Sequence, residues 1–254
     1  MLVDSHCHLD RLDVPLDEAL ATAASLEVQR FLCVSINLTD FPQVLAIAQQ
    51  YPSVYASVGV HPTEEDEAEA TLEQLVELAQ SPDVVAIGET GLDYFHVPAQ
   101  TPWQLERFRS HIRAAKVAGL PLIIHTRDAE ADTLKIMQEE SAKDVGGVMH
   151  CFTGSAEMAQ ACMEMGFYIS FSGIITFKNA TALQAVVKTI PLERLLVETD
   201  SPYLAPVPYR GKSNQPGYTR YVAEQMAALK DVSYDTIRSQ TTNNFYRCFS
   251  RAIK

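Results

Sequence analysis

At 254 residues the chain has the length of one (β/α)8 barrel, about 250 residues, although two smaller domains would also fit. A hydrophobic fraction of 47% against 20% charged residues excludes a disordered chain and provides for a sizeable core. A net charge of −12 argues against broad electrostatic capture of a polyanion, because nonspecific nucleic-acid affinity comes mostly from Lys and Arg on phosphates.

In chain order, an apolar run over Leu2–Asp4 predicts a strand that leads into SHCHLD (5–10), and helical spacing follows over Leu16–Leu26. Strand Arg30–Ile36 and helix Phe41–Gln50 come next, then strand Val54–Val60, ending in GVHP (59–62), and helix Thr71–Gln80. Val84–Gly88 runs into GETGLD (88–93) ahead of helix Gln104–Ala118, and Leu122–Ile124 runs into His125 ahead of helix Ala129–Ser141. Gly147–Met149 leads to His150 and helix Ala156–Met165, and Tyr168–Ser172 leads to helix Ala180–Thr189. Leu195–Val197 opens ETDSPYL (198–204), a polar loop carries RGKSNQPGY (210–218), and helices Thr219–Leu229 and Tyr234–Phe249 close the chain.

The strand runs are short and almost continuously apolar, as buried parallel strands are. Ser155 stands where an N-cap belongs, and Gly119 and Gly166 stand where helices end. Eight strand and helix alternations with no Pro/Gly/Ser-rich linker predict a single-domain (β/α)8 TIM barrel spanning 1–254. In that fold the C-terminal strand ends converge on one mouth, where the chemistry sits. The five cysteines are odd in number, widely spaced and free of any CxxC pattern, so a reducing cytoplasm is expected. The N-terminal segment lacks a basic stretch followed by a long apolar one, and no run approaches a membrane span, so neither secretion nor insertion is expected.

Five of the seven histidines, His6, His8, His61, His125 and His150, fall at predicted strand ends, with Glu89 and Asp200 at two more. Imidazoles and carboxylates gathered on one rim are what a divalent metal site needs. His6 and His8, two apart on a strand, share a face while Cys7 points the other way, so they can chelate one ion together. Glu89 follows a buried strand and needs a partner, either a bridged pair of metal ions or a salt bridge to Arg127. His125 and His150 repeat the arrangement of His6. Asp200 can ligate a metal and take a proton from water, with Glu198 on the same side to orient a ligand histidine. His61, followed by Pro62, is expected to touch substrate rather than metal. His96, in a loop, and His111, on a helix, are expected at the surface, with reach to the mouth as the alternative for His111. Arg127, Arg210, Lys212 and the amide of Asn214 are expected to hold phosphate at an otherwise acidic mouth.

SHCHLD, GVHP, IGETGLDY, IIHTRDA, HCFTG, SFSGIITF, LLVETDSPYLAP and RGKSNQPGY, in this order from residue 2 to about residue 245, resemble the TatD family of metal-dependent hydrolases, most closely its YcfH-type bacterial members. The resemblance implies an amidohydrolase-like barrel and a deoxyribonuclease dependent on two divalent ions, Mg2+, Mn2+ or Zn2+. It implies that His6, His8, Glu89 and Asp200 hold one ion and that Glu89, His125 and His150 hold the other. The chain departs from common family patterns at TPWQLERF (101–108), where Trp103 is either packed or a stacking platform. The expected substrate is single-stranded DNA cleaved from the 3′ end, with no membrane and no obligate protein partner. Two other readings stay open: an ester, amide or aminoacyl-tRNA hydrolase on the same site, and a metal-binding adaptor without catalysis.

Overall fold

The computed structural model describes residues 1–66 and 69–252. Its eight parallel strands follow one another around the sheet in sequence order: β1 (Leu2–Cys7), β2 (Val28–Cys33), β3 (Val54–Val58), β4 (Val84–Asp93), β5 (Leu122–Arg127), β6 (Gly147–Met149), β7 (Phe167–Phe171) and β8 (Leu195–Val197). Helices α1 (Leu16–Ser25), α2 (Phe41–Gln50), α3 (Leu72–Leu78), α4 (Pro102–Ala118), α5 (Glu130–Glu139), α6 (Ala156–Glu164), α7 (Thr181–Thr189) and α8 (Thr219–Lys230) each follow a strand, and α9 (Tyr234–Cys248) comes last. This is a (β/α)8 barrel.

The seam between β8 and β1 is closed by a mixture of backbone and side-chain bonds. The Asp200 amide donates to the His6 carbonyl at 2.9 Å and the His8 amide to the Ser201 carbonyl at 2.8 Å. Below them the Asp4 carboxylate accepts the Thr199 amide and hydroxyl, and Ser5 donates to the Val197 carbonyl. Burial pushes the Asp4 carboxyl up to about 8 despite the Thr199 hydrogen bonds.

Apolar side chains fall into two layers. One cluster draws Val3, Leu32, Tyr55, Val85, Ile123, Val148 and Leu196 from strands on opposite sides of the sheet, so it fills the barrel interior, and Phe245 and Phe249 of the α9 end plug it from below. The larger cluster lies between strands and helices, with Phe31, Val54, Ile87, Leu122, Phe167 and Val197 facing Val44, Phe108, Ile136 and Val222. Ser155 caps α6 by accepting the Met158 amide, and Gly119 ends α4 in the left-handed region at φ 64°, as their sequence positions predict.

Strand lengths differ from expectation at the places that matter. β1, β4 and β5 run on to Cys7, Asp93 and Arg127, past the apolar runs that predicted Leu2–Asp4, Val84–Gly88 and Leu122–Ile124. Hydropathy ends a strand where polar residues begin, yet the β4–β5 ladder continues through Thr90↔Ile124, Gly91↔His125, Leu92↔Thr126 and Asp93↔Arg127. His6, Glu89 and His125 are therefore strand residues, fixed by the ladder rather than carried on loops. β2 and β3 are displaced the other way, ending at Cys33 and Val58 instead of Ile36 and Val60.

Candidate metal centre

Two glycines let β4 lie flush against β5. Gly88 holds φ 138° and a Cβ there would stand 2.5 Å from the Ile123 carbonyl oxygen; at Gly91, φ 145°, it would stand 1.9 Å from that of His125. Only glycine fits, and Glu89 is thereby brought beside His125. After β8, Asp200 takes φ 58°, a left-handed conformation that Asp tolerates better than most residues, and the turn points its carboxylate back at β1.

The groups meet in one volume. Glu89 Oε1 lies 2.6 Å from His150 Nε2, 3.1 Å from His125 Nδ1 and 3.3 Å from His61 Nε2, while Oε2 lies 3.2 Å from His6 Nε2. Asp200 Oδ1 stands 3.4 Å from His8 Nε2 and 3.7 Å from His6 Nε2. Among the described residues three triads have donor atoms within 4.8 Å of one another: His6/His8/Asp200, His6/Glu89/His150 and His61/Glu89/His125. Two donors about 2.1 Å from a shared ion stand about 3.4 Å apart in tetrahedral geometry and about 3.0 Å apart in octahedral geometry, which brackets most of these separations.

The donor set fits divalent ions on its own chemistry. His6 is fully buried, yet among the described residues neither of its ring nitrogens finds a hydrogen-bond partner of good geometry, although Nε2 approaches Glu89 Oε2 to 3.2 Å. A buried polar atom left this way is costly unless something else satisfies it, and a metal ion would. Glu89, Asp200 and the five imidazoles are a mixed N/O set of the kind that zinc, manganese and iron accept.

Charge is distributed accordingly. Burial would raise the Glu89 carboxyl, but His150, His61 and His6 outweigh it and hold the group well below the usual carboxylate range. Burial likewise opposes ionising Asp200, and His8 and His6 overcome it, so its carboxyl is also lowered. Burial and the neighbouring His150 keep His6 neutral, with its pKa lowered, and burial does the same at His61. His150 and His125 go the other way: burial opposes their charge, but Glu89 with Glu198 raises the first and Asp93 with Glu89 raises the second. The 2.6 Å contact from His150 to Glu89 is short, as a charge-assisted hydrogen bond is.

Around this cluster stands a layer of orienting partners. Glu198 Oε1 accepts from His150 Nδ1 at 3.2 Å and from the Cys151 amide at 2.8 Å. His8 Nδ1 donates to the Val34 carbonyl at 2.9 Å, which leaves Nε2 free to face Asp200. Asp93, given no role on sequence grounds, accepts from His125 Nε2 at 3.1 Å and from His96 Nδ1 at 2.9 Å. A carboxylate at the fourth residue after GE was visible in GETGLD, but only the length of β4 places it over His125. Also unforeseen is a buried polar face of α4: Gln104 donates to the Pro62 carbonyl, Arg107 to the His61 carbonyl, and His111 Nε2 accepts the Val60 amide at 3.0 Å. Together they clamp the turn that carries His61.

Other expectations are corrected. His111 is not a surface residue; it is fully buried beneath that turn, because its two ring nitrogens find the Val60 amide and the Arg107 carbonyl. Asn214 is buried too and offers no free amide to a phosphate: its Nδ2 donates to the Thr199 and Tyr203 carbonyls, bracing the loop after β8. His61, expected at substrate, is within metal-sharing distance of Glu89 and His125. The alternative Glu89–Arg127 salt bridge does not form among the described residues; Arg127 lies over the Phe95 ring at 3.9 Å. Arg210 is exposed and lies over Phe177 at 4.4 Å. His96 is half-exposed in its loop, and Trp103 is partly buried under Arg107 at 4.6 Å. No helix among the described residues is long and apolar enough to cross a membrane.

A parallel eight-stranded barrel that concentrates imidazoles and carboxylates at its C-terminal mouth defines a metal-dependent hydrolase. The family model described as TatD related DNase matches residues 3–250, and the chain belongs to the TatD family. It is 48% identical over 253 residues, covering 98% of this chain and 95% of the relative, to an Escherichia coli K12 protein named uncharacterized metal-dependent hydrolase YcfH. At 34% identity, covering 94% and 93%, it is similar to a Citrobacter rodentium protein named 3'-5' ssDNA/RNA exonuclease TatD. The crystal structure of YjjV, a TatD homologue from E. coli K12, superposes with a TM-score of 0.92 at 30% identity over 98% of each chain.

Proposed function

We propose that this hydrolase cleaves phosphodiester bonds of single-stranded DNA from the 3′ end, using two divalent ions, Mg2+, Mn2+ or Zn2+. The observation that carries the reading is Glu89, whose two oxygens face His6 on one side and His61, His125 and His150 on the other, so that one carboxylate joins two sets of donors. His6, His8 and Asp200 with Glu89 would hold one ion, and Glu89, His125 and His150 the other, with His61 at the edge of the second set. Ions held there would supply Lewis acidity and lower the pKa of water toward neutrality. Asp200 is the carboxylate that solvent reaches, 15% exposed against 3% for Glu89, and it takes the proton of the attacking water. Glu198 keeps His150 oriented through Nδ1. Arg127 and Arg210 hold the scissile or neighbouring phosphate. The name of the Citrobacter rodentium relative supports a nucleic-acid substrate.

The test is purified protein with end-labelled single-stranded DNA and Mg2+ or Mn2+, beside Asp200→Asn. Loss of at least a hundredfold in the variant is expected; equal residual cleavage by both proteins overturns the reading. The net charge of −12 favours one competitor, hydrolysis of an ester, amide or aminoacyl-tRNA bond on the same groups. Turnover of such esters without cleavage of DNA would select it.

A further inference from the structure

Two aromatic rings lie open to solvent on the rim of the mouth. Phe95, just after β4, is 60% exposed, and Tyr203, in the loop after β8, is 51% exposed. In sheet order β4 stands across the barrel from β8, so the segments that carry Phe95 and Tyr203 leave the sheet on opposite sides of the mouth. A continuous series of contacts joins them. Tyr203 meets the His8 ring at 6.0 Å, His8 and His6 meet Asp200, His6 meets Glu89, Glu89 meets His125, and Asp93 joins His125 to His96, whose ring meets Phe95 at 4.8 Å. Solitary exposed apolar residues are ordinary. These two are set apart by their place beside the site and by Arg127, whose guanidinium lies 3.9 Å over the Phe95 ring and leaves the exposed area to the remaining surface.

The charge of the chain gives such rings a task. A protein at −12 cannot grip a strand chiefly by neutralising phosphates, whereas stacking on an aromatic ring holds a base irrespective of charge. We propose that Phe95, backed by Arg127, and Tyr203 are stacking platforms for the unpaired nucleobases on either side of the scissile phosphate. The inference rests on the nuclease reading above. It makes the protein a reader of base planes rather than of backbone charge, and it explains a preference for single strands, since paired bases present no free face.

Binding and cleavage test it separately. With ions removed by chelator, an oligonucleotide carrying 2-aminopurine near its 3′ end is titrated with wild-type protein, Phe95→Leu, Tyr203→Leu and the conservative Phe95→Tyr. Quenching by wild type is expected, with Kd weakened about tenfold in each leucine variant and retained in Phe95→Tyr. The salt slope of log K should be shallow, about −1.4 for two phosphate contacts on a single strand. With metal restored, wild type should prefer a base-bearing 3′ end over an abasic one in kcat/KM by about tenfold, and the leucine variants should reduce that ratio toward one. Leucine variants that bind as tightly as wild type, or a wild-type ratio near one, overturn the platforms while leaving the nuclease reading intact. If no DNA is cleaved at all, that reading fails and the quenching titration still decides whether bases stack here.

Discussion

Replacing Asp93 by Asn tests whether the outer carboxylate sets the tautomer of His125. Asp93 is buried, and its Oδ1 accepts the Phe95 and His96 amides at 3.0 and 2.8 Å, so the oxygen of an Asn would be held there by two backbone donors. The amide nitrogen must then face His125 Nε2 and His96 Nδ1, where Asp93 Oδ2 now accepts at 3.1 and 2.9 Å. A donor opposite Nε2 forces the proton of neutral His125 onto Nδ1, the atom that faces Glu89. A hydrogen bond to a buried charge contributes about 1.5–3 kcal/mol, and loss of an outer partner typically weakens a metal site about 10–100-fold, two magnitudes that agree. Isothermal titration of chelator-stripped protein with Zn2+ or Mn2+ should show the site containing His125 weakened about 10–100-fold and the His6/His8 site changed less than threefold. At a pH above the raised pKa of His125, where the ring of the ion-free protein is neutral, its nitrogen chemical shifts should move from a bare Nδ1 to a protonated one. A folded variant with affinities within twofold of wild type, or with Nδ1 still bare, would refute the reasoning. Asp93 also carries a pH signature: burial opposes its charge, but His125 and His96 lower its pKa, so its contribution to stability is present above pH 4 and disappears as pH falls through the lowered value.

Three further outcomes follow from the same geometry. His111 is neutral in its buried site, where burial lowers its pKa to about 4; the unfolded chain takes up the proton from about pH 6.5, so wild type should lose roughly 3 kcal/mol between pH 7 and pH 4 relative to His111→Gln, measured by urea denaturation at each pH, and parallel pH curves would exclude this role. Because the pKa values of His125 and His150 are raised, ion binding at neutral pH should release about one to two protons, read as the dependence of titration enthalpy on buffer ionisation; zero release would show both rings already neutral. Asn214→Ala leaves the Thr199 and Tyr203 carbonyls without their donor and should destabilise by roughly 3 kcal/mol, seen as a fall in Tm of about 10 °C, whereas a change below 2 °C would mean the loop is braced otherwise.

Much of the architecture was already present in the order of residues. Short apolar runs with β-branched residues at regular intervals predict buried parallel strands, and the (β/α)8 barrel follows from their alternation with helices, because each strand needs a helix to cover its outer face. The same spacing predicts that His6, His8, Glu89, His125, His150 and Asp200 lie at one mouth, since successive parallel strands must present their C-terminal ends in the same direction. Parity predicts Glu198 on the same side as Asp200, but β8 ends at Val197 and Asp200 turns left-handed, so the loop rather than the strand aims the two carboxylates, one at His150 and the other at His8. What sequence alone could not decide was distance. His61 sits as near to Glu89 as His6 does, because α4 draws its turn inward through Gln104, Arg107 and His111, residues whose helical spacing looks like any half-polar face. Asp93 becomes a partner of His125 only because β4 continues five residues beyond its apolar run, held by a ladder that hydropathy does not register. Asn214 carries the amide of a phosphate-binding loop in the sequence and a structural brace in the fold, since whether a polar group faces substrate or backbone depends on which carbonyls the folded loop brings to it. Local pattern determines what each segment is; long-range closure of the barrel determines which atoms meet.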